Sequence, residues 1–130
     1  MTKEPRELQG LRILIVEDNF LVADMISDVL ADRGCEVVGP VPSLERGSKL
    51  AREELLDGAV LDVNLAGELS FPIARTLTER EIPFLFLTGY DDKSAVPEVF
   101  RAAQRLSKPF DYEVLVTIIR QSFGARPPRA

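Results

Sequence analysis

The sequence predicts an α/β domain in which a parallel β-sheet is covered by helices on both faces. Short apolar, strand-like runs alternate with longer stretches of helical periodicity, an alternation that implies parallel strand pairing. Three of the runs, residues 11–16, 59–61 and 84–87, are almost continuously apolar, as central parallel strands are. At 130 residues the chain has the length of one domain with a sizeable core.

The first half of the chain predicts three strands and two helices. LRILIV (11–16) is the first strand, CEVVGPV (35–41) the second, interrupted near its end by prolines, and GAVLDV (58–63) the third. The first helix runs from about residue 19 to 33 and stops at Gly34, and the second runs from a Ser43 cap to about residue 54. Apolar residues recur at helical spacing in the first helix at Val22, Met25, Ile26, Val29 and Leu30.

The second half predicts two further strands and three helices. ELSFPIARTLTER (68–80) is the third helix, opened near its first turn by Pro72. PFLFLT (83–88) and QRLS (104–107) are the fourth and fifth strands, and a weak fourth helix containing Pro97 lies between them at about 95–103. Asp111 caps a final helix that ends at Gly124. The predicted domain covers 11–123, with a flexible leader at 1–10 and a disordered tail at 124–130.

Composition excludes several classes of function. The net charge of −5 argues against nucleic acid as a partner, and no apolar run reaches the length of a membrane span. The N-terminus lacks the apolar core of a signal peptide, and a lone cysteine, Cys35, fits a reducing cytoplasm. The chain contains no histidine, which excludes Ser-His and Cys-His catalysis and any phosphohistidine on this polypeptide.

Polar side chains follow four of the predicted strands at their carboxyl ends, the edge where parallel sheets bind ligands. Strand one is followed by Glu17 and Asp18, strand three ends at Asp62, strand four at Thr88, and strand five is followed by Lys108. Each has a structural explanation alone: a helix cap for Asp18 or its neighbour Asn19, turns for the others, or a solvated lysine. Their coincidence at one sheet edge favours a joint role.

The set of side chains is chemically coherent for phosphoryl transfer. The carboxylates of Glu17, Asp18 and Asp62 are ligands that Mg²⁺ prefers. A carboxylate such as Asp62 can act as nucleophile and form an aspartyl phosphate. The Thr88 hydroxyl and the Lys108 ammonium can then bind phosphoryl oxygens that the cation does not.

In the identity and order of these residues, the chain resembles the receiver domain of bacterial two-component response regulators. The matching motifs are VEDN after strand one, LDVNL around the third strand end, Thr88, and KPF after strand five. The resemblance implies a flavodoxin-like (βα)5 fold with strand order 2-1-3-4-5 and a cis Lys108–Pro109 bond. It also implies that the backbone carbonyl of Asn64 completes the Mg²⁺ shell.

The resemblance further implies a signalling role rather than that of a conventional enzyme. Asp62 would take a phosphoryl group from a phosphohistidine on a histidine kinase or a histidine phosphotransfer protein, which agrees with the absence of histidine here. The domain would assist its own phosphorylation and dephosphorylation and act through a downstream protein partner. The apolar final helix predicts either burial in the core, which is favoured, or a homodimer face.

Two departures from the family pattern concern the switching mechanism. Arg105 stands where receivers carry an aromatic residue, three positions before the lysine. PFLFLTGYDD is similar to a single-domain subgroup with a Phe-x-Thr-Gly-Tyr signature, with Leu87 in place of its alanine. We hypothesise that Tyr90 shields the acyl phosphate and relays phosphorylation, and that Arg105 is either a docking charge or a solvated strand-edge residue.

Three alternative interpretations remain. A phosphatase of the haloacid-dehalogenase-like class would place its nucleophile after the first strand with a second Asp two residues on, whereas Asn64 occupies that position after Asp62. A dinucleotide-binding module would need glycines in VEDNF. A receiver-like scaffold without phosphotransfer would be expected to lack some of the acids or the lysine, and the chain has them all.

Overall fold

A five-stranded parallel sheet forms the centre of the structure, a computed structural model that describes residues 8–89, 92 and 96–123. In chain order the elements are β1 (Arg12–Val16), α1 (Phe20–Asp32), β2 (Glu36–Val41), α2 (Leu44–Glu53), β3 (Gly58–Asp62), β4 (Asn64–Leu65), β5 (Glu68–Leu69), α3 (Phe71–Glu79), β6 (Phe84–Thr88), β7 (Gln104–Ser107) and α4 (Tyr112–Ser122). The strand order β2-β1-β3-β6-β7 confirms the predicted doubly wound order, because β6 and β7 are the fourth and fifth strands of the sheet.

The core consists of two apolar clusters on opposite faces of the sheet, because successive strand residues point to opposite faces. One cluster joins Leu14, Leu61 and Phe86 to α2 and α3, and the other joins Ile15, Val60 and Leu85 to α1 and α4. The apolar final helix lies mainly in the second cluster, with Leu115, Val116, Ile119 and Phe123 buried. Burial therefore accounts for most of its apolar face, as predicted.

Residues ahead of β1 already pack on the core, although the strand pattern placed the start of the domain at residue 11. Leu8 is fully buried in the second cluster. Its N–H donates to Arg33 O at 3.1 Å, and Gly10 N–H donates to Gly34 O at 3.0 Å. These bonds attach the segment to the end of α1.

The predicted fourth helix at 95–103 is wrong over the described part of that range. Only Glu98–Phe100 are helical there, as a single 3₁₀ turn. Val96 and Phe100 are buried and anchor the connection, and the Phe100 ring stacks on Phe71 with centroids 5.9 Å apart. Pro97 has no N–H to donate, and burial of the Val96 and Phe100 side chains holds the segment against the core, so a short turn is favoured over a regular helix. Four α-helices rather than five are thus found in the described residues.

One strand boundary agrees with the sequence prediction and one helix boundary differs from it. β2 ends at Val41, as predicted, and it continues through Pro40 because its edge position accommodates a residue without an N–H. Glu68 and Leu69, expected to open the third helix, instead form β5, which pairs with β4 in a small antiparallel hairpin. Among the described residues, no helix combines the length and the apolar character that crossing a membrane requires.

Gly58 on β3 packs closely against Phe123, the residue that follows α4. A Cβ built there would lie 2.4 Å from Phe123 Cδ2, so the ring occupies the space of a missing side chain. Gly58→Ala should lower the free energy of unfolding by about 2 kcal/mol, because the ring must move out of a fully packed site. Urea denaturation measures the loss. Adding Phe123→Leu to Gly58→Ala should recover part of it, and equal losses with and without that second change would contradict this packing.

Candidate functional site

The carboxyl ends of β1 and β3 place two buried acids on either side of one lysine. Lys108 Nζ lies 2.9 Å from Glu17 Oε1 and 3.0 Å from Asp62 Oδ2. Glu17 and Asp62 are only 2% and 3% exposed, respectively. The lysine reaches them because it directly follows β7. The Lys108–Pro109 peptide bond is cis, as the family resemblance implied.

Asp18 completes an acidic cluster whose geometry fits a divalent cation. One carboxylate oxygen from each of Glu17, Asp18 and Asp62 lies within 4.8 Å of the other two. Glu17 Oε1 is buried and, within the described residues, accepts no hydrogen bond of good geometry despite its ion pair with Lys108. The ammonium that compensates this oxygen is shared with a second buried acid, Asp62, so the cluster holds more negative than positive charge and can accept a further cation. The donor set therefore fits Mg²⁺, which prefers carboxylate oxygens and water.

The structure decides between the two candidate caps of α1. Asn19 Oδ1 accepts a hydrogen bond from Val22 N at 3.1 Å, so Asn19 is the N-cap. Asn19 N–H in turn donates to Glu17 Oε2 at 3.0 Å and fixes that carboxylate. Asp18 is exposed between them and does not cap the helix. Its carboxylate is thus available to the acidic cluster.

The electrostatics of Asp62 are those of a buried acid beside another acid. Burial, and then the charge of Glu17, raise the pKa of Asp62 to about 8, although Lys108 acts in the opposite direction. The metal-free carboxyl therefore keeps its proton to a higher pH than an ordinary aspartic acid does. A bound cation favours the carboxylate, which is the nucleophilic form.

Lys108 remains a cation in this setting. Burial alone lowers the pKa of Lys108, but hydrogen bonds to Glu17 and Asp62 outweigh it, so the net shift is upward. The ammonium is therefore held in place and charged over the physiological pH range. It can pair with an anion that develops at Asp62.

Thr88 ends β6 with a buried side chain. Its carbonyl accepts from Lys108 N–H at 2.8 Å, and its Oγ1 lies 3.4 Å from Ser107 Oγ. The sequence interpretation did not single out Ser107. The signal was present in the pairing of β6 with β7, which sets Ser107 directly opposite Thr88.

The chain leaves Asp62 through the β4–β5 hairpin. Asn64 N–H lies 3.4 Å from Asp62 Oδ1, and Asn64 Oδ1 accepts from Gly67 N–H at 2.7 Å. Ala66 and Gly67 both have positive φ, 55° and 98°, as a tight hairpin turn requires. The hairpin thus fixes the backbone directly after Asp62.

Of the two residues proposed for switching, the structure describes only Arg105, which lies apart from the acidic cluster. Arg105 is exposed on the edge strand, and its Nη2 donates to Arg101 O at 3.3 Å. Tyr90 lies outside the described residues, so its proposed shielding role stays a prediction.

Comparisons with known proteins agree with this architecture. The family profile described as "Response regulator receiver domain" matches residues 13–120. The sensory transduction protein LytT of Bacillus subtilis (strain 168) is 32% identical over 106 residues, which are 79% of this chain and 44% of LytT. The chain spans about half the length of the curated relatives it matches.

Solved structures extend the likeness. The solution structure of SdrG from Sphingomonas melonis Fr1 is 38% identical, with a TM-score of 0.73 over 83% of this chain and 92% of that one. The receiver domain of sensor histidine kinase PA1611 from Pseudomonas aeruginosa PAO1, with a magnesium ion in its active site cleft, shares the fold at 23% identity. Its TM-score is 0.76 over 89% of this chain and 99% of that one. With its profile match, doubly wound sheet and acidic pocket, the chain belongs to the response regulator receiver domain family.

Proposed function

We propose that this domain accepts a phosphoryl group on Asp62 from a phosphohistidine of a partner protein, in a reaction that depends on Mg²⁺. One observation carries the proposal: a buried carboxyl lies between two other acids and a lysine that is hydrogen-bonded to it. That arrangement is unfavourable for a metal-free protein and favourable once a cation and a phosphoryl group share the site.

In the proposed reaction, an Asp62 carboxylate oxygen attacks the phosphorus of the donor. The bond from phosphorus to the donor's imidazole nitrogen breaks, and its electron pair leaves with the imidazole. Lys108 is already 3.0 Å from Asp62 Oδ2 and would pair with one phosphoryl oxygen. Thr88 would donate its hydroxyl hydrogen to another.

The carboxylates of Glu17, Asp18 and Asp62, with the backbone carbonyl of Asn64, would hold Mg²⁺. The cation would neutralise charge on the transferred group. Two things support it: one carboxylate oxygen from each of the three acids lies within 4.8 Å of the other two, and the related PA1611 receiver domain holds a magnesium ion. The domain would assist its own phosphorylation and dephosphorylation, act in the cytoplasm, and signal through a downstream protein.

Labelling with acetyl phosphate tests the cation requirement. In excess Mg²⁺ the protein should gain one phosphoryl adduct, and excess chelator should reduce labelling at least about 10-fold, because three acids then face the phosphoryl anion. Asp18→Asn should reduce it comparably, whereas Asp32→Asn at the far end of α1 should not. Undiminished labelling in chelator would overturn the requirement. Intact-mass spectrometry gives the readout.

The exposed face of α1 supports docking of the donor beside the site. Phe20 and Leu21 are 76% and 71% exposed, and they follow Asp18 directly. Asp24, Asp28 and Asp32 are exposed on the same helix at four-residue spacing, with no compensating basic residue in its last turn. Repelling charges and exposed apolar groups are costly in a free protein, and an apolar, basic partner surface offsets both. A second copy of this acidic face fits poorly, which argues against a homodimer there.

Reversing charge on this face should separate docking from chemistry. Asp24→Lys with Asp28→Lys should slow transfer from the preferred kinase or phosphotransfer protein about 10-fold or more through lost complementarity. Labelling by acetyl phosphate should remain unchanged, because neither residue contacts Asp62. The matched control is Glu45→Lys with Glu53→Lys on α2, across the sheet. Equal transfer rates in both variants would rule out this docking face.

A further inference from the structure

The Thr88 hydroxyl contacts β7, the strand on the other side of β6 from the strand that carries Asp62. β6 lies between β3 and β7, with Leu87 paired to Asp62 on one side and Thr88 paired to Ser107 on the other. Thr88 Oγ1 lies 3.4 Å from Ser107 Oγ, its one hydrogen-bond partner in the part of the chain that the structure describes. The hydroxyl therefore rests on Ser107.

The backbone leaves Thr88 one way to reach a phosphoryl group. Its carbonyl is held by Lys108 N–H at 2.8 Å, and the residue closes a paired strand. Reorientation thus occurs by rotation about χ1, which in threonine exchanges the hydroxyl with the methyl group between staggered positions. When Thr88 is the donor to Ser107, its single hydroxyl hydrogen cannot also be donated to a phosphoryl oxygen, so the two bonds are alternatives.

The Thr88 hydroxyl forms a weaker hydrogen bond with Ser107 than it would form with a phosphoryl oxygen. Thr88 is 1% exposed, so water offers its hydroxyl little compensation. A contact of 3.4 Å is long for a bond between hydroxyl groups and is correspondingly weak. A phosphoryl oxygen would accept a shorter, charge-assisted bond. Ser107 is therefore a weak competitor that the phosphoryl group can displace.

We propose that Ser107 is a positioning residue that holds Thr88 in its resting orientation and so opposes phosphoryl binding at Asp62. The inference rests on the proposed phosphoacceptor function and deepens it. Through Ser107, the edge strand β7 directly contacts the residue that would bind the phosphoryl group. This contact does not use the strand-five position at which Arg105 replaces the family's aromatic residue.

Binding of the beryllium trifluoride anion, a phosphoryl mimic, tests the proposal at equilibrium in the presence of Mg²⁺. Ser107→Ala removes the resting partner, and we expect half-saturation at about two- to threefold lower concentration, the value of a weak hydrogen bond. Ser107→Thr keeps a hydroxyl and should behave as the wild type. Gln104→Ala changes an exposed residue of the same strand and serves as the control.

A double-mutant cycle separates positioning from a general structural effect. In a Thr88→Val background, Ser107→Ala should no longer change the affinity, because no hydroxyl remains to compete. In the free protein, Ser107→Ala should also redistribute the Thr88 χ1 rotamers, measured by NMR couplings to its methyl carbon. Unchanged affinity, unchanged rotamers, or the same gain in the valine background would overturn the inference. A wild type that binds no mimic at all would overturn the proposed function together with it.

Discussion

Asp62→Asn should make the metal-free protein more stable at pH 8, by several kcal/mol in the free energy of unfolding. The physical cause is the pKa of Asp62, raised to about 8 by burial and by Glu17. A raised folded-state pKa makes a contribution that is fully present below the unfolded-state pKa and is lost as pH rises through the folded value. The wild type should therefore lose stability between about pH 4 and 8, and the amide variant should lack this loss.

Urea denaturation at several pH values, in chelator, measures the difference. Near pH 4.5 the two proteins should agree within about 1 kcal/mol, because Asp62 is then protonated when folded and partly protonated when unfolded. Exposed Asp28→Asn controls for the loss of one carboxyl group. Parallel pH profiles for the wild type and Asp62→Asn would contradict the electrostatic account.

Magnesium should reverse the order of stability. The cation binds the folded wild type through carboxylates that Asp62→Asn in part lacks, so saturating Mg²⁺ should stabilise the wild type more. Binding near pH 7 should also release protons, since the metal ligand must be deprotonated. A titration in weakly buffered solution measures that release.

The sheet and the clustering of polar residues at its carboxyl edge could be predicted, because both follow from short stretches of the sequence. Unbroken apolar runs identify buried parallel strands, and parallel strands deliver the residues at their carboxyl ends to one edge. Glu17, Asp62 and Lys108 come together for that reason alone, despite separations of 46 and 91 residues along the chain.

Other features depend on contacts or conformations that residue type does not reveal. The hairpin after Asp62 needs a positive φ at Ala66, which favours glycine or asparagine over alanine, so only Gly67 and Asn64 indicated a turn. The connection before β7 is set by Phe100 packing on distant rings, which overrides its helical pattern. Met25 fitted the helical period but is half exposed, because the buried stripe of α1 is Ala23, Ile26 and Leu30.

The most direct test of the proposed function is to identify the residue that becomes phosphorylated. Wild-type protein with acetyl phosphate and Mg²⁺ should gain one adduct by intact mass, and peptide mapping after reductive trapping should place it on Asp62. Asp62→Asn should gain none, because an amide oxygen is too weak a nucleophile, whereas Asp28→Asn should label as the wild type does. An adduct that persists in Asp62→Asn, or maps to Glu17 or Asp18, would contradict the assignment of Asp62 as phosphoacceptor.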